Sequence, residues 1–172
     1  MKKIKYLLVV LIISGILTLG LSYSFKVRIK EYNNNDFKIK YDTTWKITDK
    51  KMGLELEHKK SGSVINIQCK ILDKSYMDTK LKDIIVDIKD SIEEQNKEYK
   101  LININNDYSF NYDSYSYLYE NEEFQTLVSI YKKDNKIIFI YYEADSEYYD
   151  VVLDSAENIF SSLEIITGEL IK

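Results

Sequence analysis

The sequence predicts an α+β domain in which a largely antiparallel β-sheet is packed by two main helices, preceded by one N-terminal transmembrane helix. Three observations predict it. Residues 6–25, YLLVVLIISGILTLGLSYSF, contain no charge. From Phe37 onward the apolar residues fall mostly at every second position, the spacing of half-buried strands. Twice that period gives way to a helical stripe, at Leu81, Ile84, Ile85, Ile88 and Ile92 and again at Val152, Ala156, Ile159, Phe160 and Leu163. Strands, helix, strands, helix in that order describe an α+β sandwich.

The apolar run comes first. Its 20 residues, at about 1.5 Å of rise each, span roughly the 30 Å of a bilayer's hydrocarbon core. Lys2, Lys3 and Lys5 precede it and Lys26, Arg28 and Lys30 follow it. Residues 1–5 are expected in the cytoplasm and 6–25 in the membrane as a signal anchor, with the domain outside the cytoplasm, because a short charged N-terminus stays inside while long domains translocate largely regardless of their charge. A cleaved signal peptide is the alternative, and would make the protein secreted. Gly20, Ser22 and Ser24 fit it loosely, but the run exceeds the usual signal core and Leu21 and Tyr23 spoil the small-residue site. No cysteine follows the run, which excludes a bacterial lipoprotein.

Residues 26–36, ending in Asn33-Asn34-Asn35-Asp36, read as a polar linker that packs nothing. The domain is expected over 37–165, with 166–172 as a tail. Phe37, Ile39 and Tyr41 share one face of the first strand, Asp42-Thr43-Thr44 turns the chain, and a second strand holds Trp45 and Ile47. Leu54–Glu57 alternates again. Ser61-Gly62-Ser63 makes a hairpin into Val64–Ile71, with Ile65, Ile67, Cys69 and Ile71 on one side. A helix follows from about Thr79 to Asn96. Strands return at Leu101–Ile104, Tyr112–Glu120, Phe124–Lys132 and Lys136–Glu143, the last two joined by a tight Asp134-Asn135 turn. KIIFIYYE at 136–143 is apolar on both faces and reads as a central strand covered on both sides. A last helix is expected from about Ser146 to Leu163.

This order of elements, with Phe37, Tyr41 and Trp45 in the first two strands and Phe160-Ser161-Ser162-Leu163 at the end of the last helix, resembles the PsbP-like superfamily over about Asn35 to Ile165. Asp42 stands where that family has a proline. The resemblance implies a PsbP-like α/β/α sandwich and non-catalytic work as an accessory, assembly or binding module, in bacteria commonly secreted or membrane-tethered.

Composition narrows the chemistry. The chain is net −4 although its N-terminal flanks are cationic, so the domain is acidic and nucleic acid is not an expected partner. His58 is the only histidine, which excludes multi-histidine zinc sites and leaves a solvated hairpin-end residue as its reading. The lone Cys69 can form no internal disulfide, has no CxxC partner, and reads as a small buried hydrophobe. Asp150, Asp154 and Glu157 describe the wet face of the last helix, without a calcium-loop spacing. Nothing combines a nucleophile, a base and an orienting group, so the protein is not read as an enzyme, and no metal or cofactor is expected.

Two features remain as partner-binding candidates. Tyr115, Tyr117 and Tyr119 alternate along one strand and therefore share a face, either as a binding surface or packed beneath a helix. Glu120, Glu122 and Glu123 flank Asn121 at a hairpin tip. The function expected from these readings is a membrane-tethered extracytoplasmic binding or accessory domain that meets an envelope protein. The alternative is a carrier holding a small apolar or lipid-like ligand between sheet and helix, which requires an enclosed cavity there.

Overall fold

A computed structural model describes residues 28–50, 53–95, 100–105 and 112–167. The apolar run 6–25 and residues 168–172 lie outside the described residues. Among those described, no helix is long and apolar enough to cross a membrane. In chain order the elements are β1 (Ile29–Asn33), β2 (Phe37–Asp42), β3 (Trp45–Lys50), β4 (Gly53–His58), β5 (Val64–Ile71), α1 (Leu81–Gln95), β6 (Lys100–Asn105), β7 (Asp113–Glu120), β8 (Phe124–Lys133), β9 (Lys136–Asp145), α2 (Tyr149–Ser161) and β10 (Glu164–Ile165).

The strands build two antiparallel sheets. Seven run in the order β3-β4-β5-β9-β8-β7-β6, and three form a smaller sheet, β1-β2-β10. β9 is the fourth strand of the seven, the centre, as its two-sided apolar pattern requires. On one face Ile138, Ile140, Tyr142 and Ala144 pack with α2 and with Phe37, Ile39 and Tyr41 of the small sheet. On the other face Ile137 packs with Leu81 and Ile85 of α1 and with Tyr117 and Tyr119 of β7. The result is a sheet with a helix on each side, the small sheet sharing the α2 side.

Residues 29–33 correct the linker expectation. They pair antiparallel with β2 over the full register Ile29↔Asp42 to Asn33↔Lys38. Asn33-Asn34-Asn35-Asp36 is accordingly a hairpin turn instead of a linker that packs nothing: the Asn34 side-chain oxygen accepts the amides of Asp36 and Phe37 at 2.9 and 2.8 Å. The small sheet was not foreseen either, because β1 is exposed along its length except for Tyr32 and leaves no burial period to read.

Both helices are fixed by polar groups borrowed from strands. The Asp113 carboxylate, at the start of β7, accepts the Leu81 amide at 2.6 Å and satisfies one of the free N–H groups of the first turn of α1. At the other helix, Ser162 accepts the Lys40 amide at 2.8 Å and returns its hydroxyl to Lys40 or Ile159 carbonyls. That latch onto β2 accounts for the serine of the Phe160-Ser161-Ser162-Leu163 segment, while Phe160 and Leu163 are buried.

Candidate functional site

The tyrosine row is a core layer. Tyr117 and Tyr119 are 2% and 3% exposed, packed with Val128, Ile130 and Ile137 beneath Leu81 and Ile85 of α1, and Tyr115 is half-buried at the edge of the same cluster. Alternation put the three rings on one face correctly, but the stripe of α1 covers that face, so the row presents no open surface here. Burial pushes the Tyr117 phenol up to about 12, with Tyr115, Glu93 and Asp90 adding to the shift. Tyr119 is raised further by burial, then by Glu93, Tyr117 and Tyr141. Its hydroxyl is buried with no hydrogen-bond partner among the described residues.

The acidic tip is open. Glu122 and Glu123 are exposed and Glu120 is half-buried, in a turn that the Asn121 side chain closes by accepting the amides of Glu123 and Phe124 at 2.9 and 2.7 Å. The tip is tied to the loop before α2, because Ser146 donates both its amide, at 2.9 Å, and its hydroxyl, at 3.2 Å, to the Glu123 carbonyl. That loop brings Asp145, Glu147 and Tyr148 alongside, and the first turn of α2 adds Asp150 and Val151. Two apolar side chains stand out in this acidic surround: Tyr148 is 38% exposed and Val151 77%. Sequence reading of the last helix as a wet face caught its acids and passed over Val151, which sits out of the buried stripe.

His58 joins a network the sequence did not show. Its ring lies 5.2 Å from the Trp45 ring, and its Nδ1 is 2.8 Å from the Ser61 hydroxyl, which in turn is 2.7 Å from that of Ser63. Trp45 donates its indole N–H to Ser155 of α2 at 2.9 Å, and Ser155 donates to Asp42 at 3.0 Å. Asp42 also accepts the Thr44 amide at 2.7 Å. A carboxylate therefore closes the β2–β3 turn and ties it to α2 as well. Burial lowers the His58 pKa below its ordinary 6.5, with Asp42 opposing and Lys60 adding. The network is a packing device: Ser61 and Ser63 bond to each other within their own turn, and Ser63 also meets the Tyr142 hydroxyl of β9.

Cys69 lines an open cleft of about 630 Å³ along β5, where β4 begins, between the β1–β2 turn and Gln68, Lys70 and Phe139. Burial pushes the thiol up to about 11, so it is protonated and weakly nucleophilic at neutral pH. No helix residue lines the cleft, so it does not supply the space between sheet and helix that a carrier needs. Among the described residues no three His, Cys, Asp or Glu side chains are grouped to hold a metal ion.

No protein-family sequence model matches this chain, and no curated protein does. Solved structures do. The cyanobacterial PsbP (CyanoP) of Synechocystis sp. PCC 6803 matches with a TM-score of 0.64 at 14% identity, over 81% of this chain and 93% of that one. A crystal structure from Bacteroides thetaiotaomicron VPI-5482 matches with a TM-score of 0.53 at 13% identity, over 81% of this chain and 49% of that one, about half its length. The fold is PsbP-like, as Phe37, Tyr41 and Trp45 imply; at these identities the likeness is one of fold.

Proposed function

We propose that the chain is a membrane-tethered, extracytoplasmic accessory domain that works by protein contact and performs no catalysis. The observation that carries this reading is the open surface at one end of the sheet, where Ser146 ties the exposed Glu122–Glu123 tip to the segment that bears Glu147, Asp150 and the exposed Tyr148 and Val151. An apolar pair ringed by acids suits a partner that presents an apolar side chain with lysine or arginine around it, because the rim charges select the partner and the apolar contact holds it. The tether comes from residues 6–25, and the accessory role agrees with the fold shared with a cyanobacterial PsbP.

The partner surface thus moves from the tyrosine row to its neighbour, the Glu120–Glu123 tip with the start of α2. The test places a photo-crosslinking residue at Glu122 or Tyr148 of the full chain in its native membrane, with a probe at Lys74, near the opposite end of the sheet, as control. One recurrent envelope protein captured from the first two positions, and lost on Glu122→Lys with Glu123→Lys, is the expected result. Identical capture from all three positions would remove the assignment.

A further inference from the structure

The place where the apolar run enters the domain is a basic corner. The Thr43 amide donates to the Arg28 carbonyl at 3.1 Å and the Lys59 amide to the Thr44 carbonyl at 3.0 Å. Lys59 Nζ also donates to the Thr43 carbonyl. The start of β1, the β2–β3 turn and the β4–β5 turn are therefore one packed unit. On it Arg28, Lys30, Lys59 and Lys60 are all exposed, and none has an ion pair among the described residues. Ile29, 65% exposed, lies between Arg28 and Lys30 in the chain, at the start of β1. The acids close to the corner are outnumbered: Asp42, held by Thr44 and Ser155, and Glu57, opposite Lys46 in register, stand against Arg28, Lys30, Lys46, Lys59 and Lys60.

Chain length fixes how far this corner can be from the membrane. Three residues separate Phe25 from Ile29, and four Cα steps reach at most about 14 Å. Because β1 begins at once, no slack remains for a swinging linker. A bilayer entered by residues 6–25 would lie within one to two Debye lengths of the corner, where each lysine or arginine is drawn to anionic headgroups roughly fivefold.

We propose that Arg28, Lys30, Lys59 and Lys60, with Ile29 as an apolar wedge, dock onto the anionic headgroups of the bilayer that holds residues 6–25, fixing the domain in one orientation. The inference rests on the membrane-tethered reading above. Charge asymmetry sets the direction of tilt. The β7–β8 tip lies at the same end of the sheet but three strand spacings from β4, roughly 15 Å, and its acids are repelled by the same headgroups. The basic corner sits down and the acidic tip is lifted to the side, open to a partner.

The test uses the full chain in a Cys69→Ser background, with an environment-sensitive fluorophore on Thr43→Cys in the β2–β3 turn, which leaves all four basic residues in place, reconstituted into vesicles of phosphatidylcholine alone or mixed with phosphatidylglycerol. Alkaline carbonate extraction is run on the same samples. The expected result is that the chain resists extraction from both vesicles, while emission shifts to the blue only with phosphatidylglycerol. The shift should disappear in about 0.5 M salt, or on Lys30→Glu with Lys59→Glu. Resistance to extraction with equal emission in both vesicles overturns the docking and leaves the tether standing. Release by carbonate overturns the tether, and the docking with it. A blue shift in native membranes but in neither vesicle overturns the lipid in favour of a protein at this corner.

Discussion

Removing one oxygen, Tyr119→Phe, tests whether the tyrosine row is core. The Tyr119 ring is 3% exposed beneath α1 and its hydroxyl has no hydrogen-bond partner among the described residues. Burying an unsatisfied hydroxyl costs roughly 1–3 kcal/mol, and deleting it refunds that cost less the few dispersion contacts the oxygen makes. The expected gain is about 1 kcal/mol. For a domain of this size that is a rise of about 3–4 °C in Tm. Tyr117→Ala is the counterpart: its ring, 2% exposed in the same cluster, leaves a cavity worth about 3–5 kcal/mol. Urea unfolding of the full chain in detergent, followed by the emission of the single tryptophan, measures both. Trp45 is 2% exposed and on the opposite face of the sheet, so it reports global unfolding without touching either substitution. A loss of 1 kcal/mol or more for Tyr119→Phe would mean the hydroxyl is engaged. The row would then be a polar site, and its description as a closed core would fail.

Three further outcomes are expected. Gly53→Ala lowers stability by more than about 1 kcal/mol, because a Cβ there would stand 2.2 Å from the Ile67 carbonyl oxygen at a φ of +153°; thermal melts check it, and a neutral result would refute the close approach of β4 to β5. Protonation of His58 opposes folding: its folded pKa lies below the unfolded 6.5, so the unfolded chain binds the extra proton. Its contribution is fully present above pH 6.5 and lost as pH falls through 6.5 toward the folded value. Because the ring lies 5.2 Å from Trp45, a drop in tryptophan emission with a midpoint below 6.5, absent in His58→Gln, should follow the titration; a midpoint above 6.5 would reverse the sign. Cys69, with its thiol near 11, should react with a disulfide reagent at pH 8 at least tenfold more slowly in the folded chain than in urea, and equal rates would show that the thiol is free.

How much of this was legible depends on whether a residue's neighbours are local. β9 announced its central place because KIIFIYYE is apolar on both faces, and the helices announced theirs by period. β1 was silent, since an exposed edge strand has no buried alternation, and β10 has only two residues. The tyrosine row shows the same limit from the other side. Alternation says that Tyr115, Tyr117 and Tyr119 share a face, while the cover comes from Leu81 and Ile85, 30 or more residues earlier. A signal existed: the stripe of α1 needed an apolar sheet face, and the α2 side was already claimed by Phe37, Ile39 and Trp45. The basic corner had none, because Arg28 and Lys59 meet only through the β2–β3 turn.

The turns show what the chain does without proline, of which it has none. Among the described residues an Asn or Asp side chain accepts the amide two residues on at four places: Asn34 from Asp36, Asp42 from Thr44, Asp73 from Ser75 and Asn121 from Glu123. Two are the same device repeated, Asn34-Asn35-Asp36-Phe37 and Asn121-Glu122-Glu123-Phe124, each with the Asn side chain also accepting the Phe amide and the Asn amide returning to the Phe carbonyl. A proline stiffens a turn by limiting the unfolded chain, whereas an Asx turn acts only in the folded state and must overcome the full ordering entropy. The compensation is chemical. A proline has no polar side chain to share, but the Asp42 carboxylate that closes the β2–β3 turn also reaches Ser155 and, through it, Trp45, so the turn that carries the basic corner is tied directly to α2, the helix whose start bears Tyr148 and Val151. The two proposed contact surfaces, lipid at one corner and protein at the other, are thereby held in one rigid frame.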